Sequence, residues 1–256
     1  MNRYKRLSLV LLFSLGIAVS CFFGGPSKTH FKVLCGSSWP GINLHGKTSN
    51  VQGFIDDLFF AIASGEDIRI SITRIDSGGR MFPHLDDQGV DGVVSVAATT
   101  TREERQYAFS DPFFAYGPVL VIRSNDAYNS LAMLKDKVVG YERGYGGDFA
   151  TRNDFEVIFR PYDQMTYAME DLIHGQIDAV ILDSVYANQL LSGLYATALK
   201  IVYPPLKETS FQLVVKKGEN EELIELFNKG LKEQRANGEY TKLLDYWGLF
   251  DPTLEH

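Results

Sequence analysis

Apolar residues along this chain fall into two alternating patterns. Short β-branched runs predict strands at Phe31–Leu34, Ile68–Ile72 and Gly92–Val96. Between them, Phe54, Leu58, Phe59 and Ile62 recur every three to four positions, predicting a helix over Gly53–Ser64 that Gly65 ends. Phe82–Asp87 reads as a helical turn, and the capping-box pattern Thr101-x-x-Glu104 opens a short helix. The stretch Gln106–Arg123 is the hub. It passes Asp111-Pro112, crowds in Phe109, Phe113, Phe114 and Tyr116, breaks at Gly117-Pro118 and runs out as the buried strand Val119–Ile122. That strand is expected to be the first crossing between two lobes.

The second half repeats the theme. Leu131–Leu134 is a helical turn, and Lys137–Tyr141 is a strand ending in Gly144-Tyr145-Gly146-Gly147. Asp148–Arg152 starts a helix, Val157–Phe159 is a strand and Gln164–Ile173 a helix bounded by Gly175. Asp178–Leu182 is a strand that delivers Asp183, and Ser184–Leu191 is helical. Phe211–Val215 is the return strand, and the helices Glu221–Ala236 and Tyr240–Trp247 follow. Strand–helix alternation of this kind implies an α/β fold with mostly parallel sheets and ligands at the carboxyl ends of the strands. Residues 31–121 with 211–256 are expected to form one lobe, and 122–210 the other. Each is close to ordinary domain size.

The first 21 residues read differently. Met1–Arg6 is basic, Leu7–Val19 is apolar but too short to span a bilayer, and Ala18-Val19-Ser20-Cys21 closes the segment with small residues before a cysteine. This is an export signal. It resembles a lipoprotein lipobox with Ala18 in place of the usual leucine, which implies acylation at Cys21, a tether over residues 22–30 and a lipid-anchored protein outside the cytoplasm. The plainer reading is cleavage nearby with an unmodified thiol. With Cys21 acylated, Cys35 has no disulfide partner and is expected to be a small buried apolar residue. Net charge is −7, and three of the basic residues (Arg3, Lys5, Arg6) lie in the signal segment. The remainder is therefore more acidic still, which argues against a nucleic-acid partner.

No catalytic constellation emerges. The five histidines are scattered, without metal-ligand spacing, and no nucleotide fingerprint or nucleophile elbow appears. Neither a metal nor a cofactor is expected. Gly144-Tyr145-Gly146 is a lone GxG after a strand, which by itself reads as a tight turn.

The order of motifs over residues 31–250 resembles the type 3 extracytoplasmic solute-binding proteins, the amino-acid receptors of ATP-binding-cassette importers. Gly53-Phe54-x-x-Asp57-Leu58 looks like the family's GFDVDL helix start. Asp91–Asp111 is similar to its run ending FSDPY, Lys137–Gly146 to KKVGVQxGT, and Asp178–Asp183 to DAVIAD. Asn237-Gly238-x-Tyr240 with Tyr246-Trp247-Gly248 resembles NGTYxxIxxKWG. The resemblance implies a two-lobe periplasmic-binding-protein fold, two crossing strands and a ligand cleft between the lobes. It implies a monomer that is not an enzyme, delivering an amino acid or close relative to an importer's membrane subunits.

By the same resemblance Asp183 faces the ligand's ammonium, a charge too costly to bury unpaired. Aspartate there also suits the N-cap of Ser184–Leu191. Trp39 falls at the stacking aromatic of the first-lobe loop, and Ser95 where backbone carbonyls line the ammonium end. Gly144, Tyr145 and Gly146 fall on the turn whose N–H groups reach the ligand carboxylate.

Departures bear on specificity. The family's clamp arginine lands on Glu103, so Arg102 or Arg105 would supply the fork of donors, or else both are solvated helix charges. The usual aspartate before the aromatic loop is Gly36, the threonine of the second-lobe turn is Tyr145, and a further threonine is Ala98. Glu103 beside Asp183 would suit a ligand of net positive charge. Two other readings stay open. One is an enzyme resembling cyclohexadienyl dehydratase, with Glu103 and Asp183 as acid and base. The other is a ligand-sensing surface lipoprotein.

Overall fold

Strand β1 (His30–Gly36) leads helix α1 (Asn50–Gly65), β2 (Arg69–Ile75), a 3-10 turn at Phe82–Asp86 and β3 (Gly92–Val96). A one-turn helix α2 (Glu103–Gln106) runs directly into β4 (Tyr107–Phe109), followed by β5 (Phe114–Tyr116) and β6 (Pro118–Arg123). After a 3-10 turn at Leu131–Leu134 come β7 (Val138–Glu142), β8 (Ile158–Tyr162), α3 (Met165–Ile173), β9 (Ala179–Asp183), α4 (Ser184–Leu191) and β10 (Leu199–Val202). The chain closes with β11 (Thr209–Lys216), α5 (Glu221–Ala236) and α6 (Glu239–Trp247). These elements come from a computed structural model that describes residues 28–37, 50–76, 80–96, 102–143, 155–193, 195–207, 209–251 and 254. The chain divides into a unit of residues 1–30 and one of 31–256, and the fold is that of the second. Among the described residues no helix is long and apolar enough to cross a membrane.

Two sheets organise the molecule. The first has the order β2-β1-β3-β11-β4, with β5 also on β11; the second has the order β10-β6-β9-β7-β8. Each is covered on both faces. In the first, Phe31, Val33, Leu213 and Val215 point to α1, α5 and α6, while Leu34, Val93 and Val214 meet Met81 and Leu85 on the other side. In the second, Val119 and Val121 of β6 face α3 and α4, while Leu120 and Ile122 face Leu131 and Leu134. Double coverage explains why Val119–Ile122 reads as an unbroken apolar run rather than an alternating one. The helices keep the spacing their sequences predict: Phe54, Leu58, Phe59 and Ile62 of α1 are all buried.

Several expectations are corrected. The sheets are mixed, not mostly parallel. β1 runs parallel to β3, and β7 parallel to β8 and β9, but β11 is antiparallel to β3, β4 and β5, and β6 is antiparallel to β9 and β10. Strands that return from the other sheet enter from the opposite end, so they insert antiparallel. The strand Val119–Ile122 is not itself the crossing. Pro118 already pairs with Asp183 in the second sheet while Tyr116 still pairs with Thr209 in the first, so the chain crosses at Gly117. The return likewise runs between Val202 and Thr209, ahead of Gln212.

β4, β5 and β10 have no counterpart in the sequence reading, because three or four residues are too few to show a period. The cap of α2 falls on Arg102, which has helical backbone and makes no side-chain cap, one position after the expected box. The predicted helix at Asp148–Arg152 lies outside the described residues.

Candidate functional site

Asp183 is the last residue of β9 and is 2% exposed. Its backbone is extended, and its side chain accepts the Val185 N–H at 2.9 Å, so it is the N-cap of α4. β9 is the middle strand of its sheet, and every residue of it is buried. The carboxylate therefore sits at the carboxyl end of the parallel strands β7, β8 and β9, beside the crossing to the other sheet.

The seam is tightly built. Gly117 donates its N–H to Ser184 Oγ at 3.2 Å, and the Ser184 N–H donates back to the Gly117 carbonyl at 2.9 Å. A Cβ on Gly117 would penetrate the Lys207 carbonyl oxygen, so the two crossings touch at a place only glycine fits. Leu206 N–H donates to the Pro118 carbonyl at 2.7 Å alongside. Val185 packs with the core of the first sheet although α4 belongs to the second.

The first sheet supplies rings. Tyr116 stacks on Phe211 with centroids 5.2 Å apart, and Phe211 is aligned with Val96 at the carboxyl end of β3. Burial holds the Tyr116 phenol well above its ordinary pKa, and the Asp183 carboxylate pushes it the same way. One pair of rings thus links the carboxyl end of β3 to that of β9. Ser95 is buried one residue earlier, opposite Gln212, whose side-chain amide donates to the Ser110 carbonyl at 2.8 Å.

Asp183 and Ser95 are therefore brought toward one seam. Arg102 and Arg105 are both exposed, flanking a half-buried Glu103 on α2. Trp39, Gly144, Tyr145 and Gly146 lie outside the described residues, as does Cys21.

Arg74 is a residue that sequence reasoning missed. At the carboxyl end of β2 its guanidinium donates to Asp56 Oδ2 at 2.5 Å and the Gln52 carbonyl at 2.9 Å, with Cys35 Sγ 3.6 Å away. It ties β1, β2 and α1 together beside Gly36, and nothing in its sequence neighbourhood separates it from a solvated charge. Cys35 is buried, as expected, and burial pushes its thiol up to about 11, with Arg74 opposing. Among the described residues no group of His, Cys, Asp and Glu could hold a metal ion. The arrangement offers one buried carboxylate, neutral hydroxyls and aromatic faces, a set suited to gripping a small cation-bearing molecule.

Comparison with known proteins follows the same line. The family model described as bacterial extracellular solute-binding proteins, family 3, matches residues 31–250. ABC transporter arginine-binding protein 1 of Escherichia coli (strain K12) is 27% identical over 249 residues, 95% of this chain and 98% of that one. The histidine-binding periplasmic protein of Salmonella typhimurium is 28% identical over 257 residues, 96% of each chain. Among solved structures, the second substrate-binding domain of a putative amino acid ABC transporter from Streptococcus pneumoniae superposes with a TM-score of 0.64 at 27% identity, covering 85% of this chain and 99% of that one. The L-cystine solute receptor of Neisseria gonorrhoeae, in its unliganded open conformation, has a TM-score of 0.69 at 20% identity over 86% of this chain and 93% of that one, a likeness of fold.

Proposed function

The chain belongs to the bacterial extracellular solute-binding proteins of family 3, and from that premise we propose that it captures a cationic amino acid between its two lobes for an ABC importer. The observation that carries this reading is Asp183. Its carboxylate, 2% exposed, ends a central strand at the seam between the two sheets, where it would attract a solute's ammonium through a charge-assisted hydrogen bond. The relatives named for arginine and histidine support a second positive charge on the solute. Glu103 at the clamp position, where a cation would otherwise meet the solute's carboxylate, favours the same class.

Capture proceeds by rotation of one sheet and its helices against the other about Gly117 and the 203–207 segment. Solute contacts made only when the lobes meet shift the population toward the closed form. Binding is the proposed act, with no bond made or broken. Ser95 contributes at the ammonium end, and Arg102 or Arg105 turns toward the solute's carboxylate on closure. Trp39 would offer the solute an aromatic face, and Gly144, Tyr145 and Gly146 would offer N–H groups to its carboxylate. Acylation at Cys21 would keep the protein on a membrane surface within reach of its importer.

Isothermal titration against arginine, histidine, lysine, glutamine and cystine tests the reading. Saturable heat with arginine, histidine or lysine is expected, and release of the same compound from denatured purified protein would identify the native solute. A folded protein that gives no heat with any amino acid would overturn it.

A further inference from the structure

Helix α4 is attached to both chain crossings. Its first residue, Ser184, is 1% exposed and bonds Gly117 twice, through its hydroxyl and through its N–H. One turn later the Asn188 side-chain amide donates to the Ser184 carbonyl at 2.8 Å and to the Tyr203 hydroxyl at 2.7 Å. Tyr203 is the first residue after β10, where the return crossing begins, and its ring lies 5.0 Å from that of Phe250. Phe250 follows Leu249, which is buried in the core of the first sheet. The residue before Ser184 is Asp183, whose carboxylate caps the same helix.

We infer that Ser184 is a positioning residue that couples the Asp183 carboxylate to both crossings, so that solute capture and rotation about Gly117 are one event. The inference rests on the reading of Asp183 as the solute's partner. Rotation between the sheets would be absorbed by backbone angles at Gly117 and in 203–207, the links between them among the described residues. Gly117 has no side chain to define its path, so its course is set by what its peptide groups bond. Ser184 bonds both of them, and Ser184 is one peptide bond from Asp183. Asn188 carries the same constraint to the second crossing through Tyr203. The Ser184 hydroxyl is the replaceable part of this linkage, because its backbone N–H survives substitution by alanine or threonine.

Ser184→Ala tests it by leaving the buried Gly117 N–H without its acceptor, while Ser184→Thr keeps a hydroxyl at the same position. Amide exchange in the solute-free protein is the first readout. Ser184→Ala should speed exchange about tenfold or more at Gly117 and also in peptides covering 203–207, with core strands such as β9 unchanged. Faster exchange at Gly117 alone would overturn the coupling between the crossings.

Solute titration and small-angle scattering give the second readout. Ser184→Ala should bind about tenfold more weakly and contract less on saturation, and Ser184→Thr should recover most of both. Wild-type affinity and contraction in Ser184→Ala would overturn the inference. Lack of any solute response in the wild type would instead strike the receptor reading, leaving the exchange result to judge the coupling.

Discussion

The indole N–H of Trp247 donates to Asp57 Oδ2 at 2.8 Å, across 190 residues of sequence. The same ring fills the space a side chain at Gly53 would take. Two sequence motifs are therefore halves of one contact: the Gly53-Phe54-x-x-Asp57 start of α1 receives the Tyr246-Trp247-Gly248 end of α6. Their work is to close the first lobe. Gly53→Ala should lower stability by about 1–3 kcal/mol through overpacking, a drop of about 2–4 °C in Tm per kcal/mol. Solute affinity should stay within about twofold. Thermal melting and titration of the variant check both halves, and a large affinity loss with unchanged Tm would contradict this assignment.

Gly117 meets a harder obstacle. The atom a Cβ would strike is a backbone oxygen, at Lys207, which no rotamer change can move. Gly117→Ala should force the crossings apart, costing more than Gly53→Ala and weakening solute binding at the same time. Urea denaturation beside titration would show it; an alanine tolerated in both would mean the crossings are not packed as described.

Asp183 caps α4 and is proposed to hold the solute's charge, and two substitutions separate the two. Asparagine caps helices about as well as aspartate, so Asp183→Asn should keep Tm nearly unchanged. Loss of the charge should weaken a cationic solute by about a hundredfold or more, given about 3–5 kcal/mol for breaking a buried pair. Asp183→Ala should lose the affinity and also about 1 kcal/mol of stability with the cap. Calorimetric titration decides, and wild-type affinity in Asp183→Asn would remove Asp183 from the site.

Alkaline pH should unfold the protein cooperatively. Burial, aided by Asp183 and Asp251 respectively, holds the Tyr116 and Tyr240 phenols above their ordinary value of 10.0, and burial raises the Cys35 thiol from 9.0 to about 11. Raised values mean that the folded and unfolded states bind equal numbers of protons at neutral pH. The unfolded state loses protons first as pH climbs past 9 to 10, so stability falls from there upward. Tm measured from pH 7 to 11 should decline above pH 9, and absorbance near 295 nm should show tyrosines that ionise only on unfolding. Tyr240→Phe should destabilise even at neutral pH. It deletes the hydroxyl's bonds to the Phe113 carbonyl at 2.7 Å and to Asp251 at 2.5 Å.

By itself the sequence determined the order of elements and their faces. Periodicity states which side of each strand or helix is apolar, and so α4 and α5 were legible residue by residue, the strand that delivers Asp183 to within one residue, and α1 apart from its first turn. The chemistry at Asp183 was legible too, as both cap and carboxylate at a strand end. Tertiary structure alone decided what each face meets. An apolar stripe does not encode its partner, so the mixed strand directions, the short strands β4, β5 and β10, and the Trp247–Asp57 contact had no local signature. The crossing point was decided in the same way. Gly117 announces a break in the sequence, but only the arrival of the Lys207 carbonyl and the Ser184 hydroxyl makes it the place where the chain passes between the sheets.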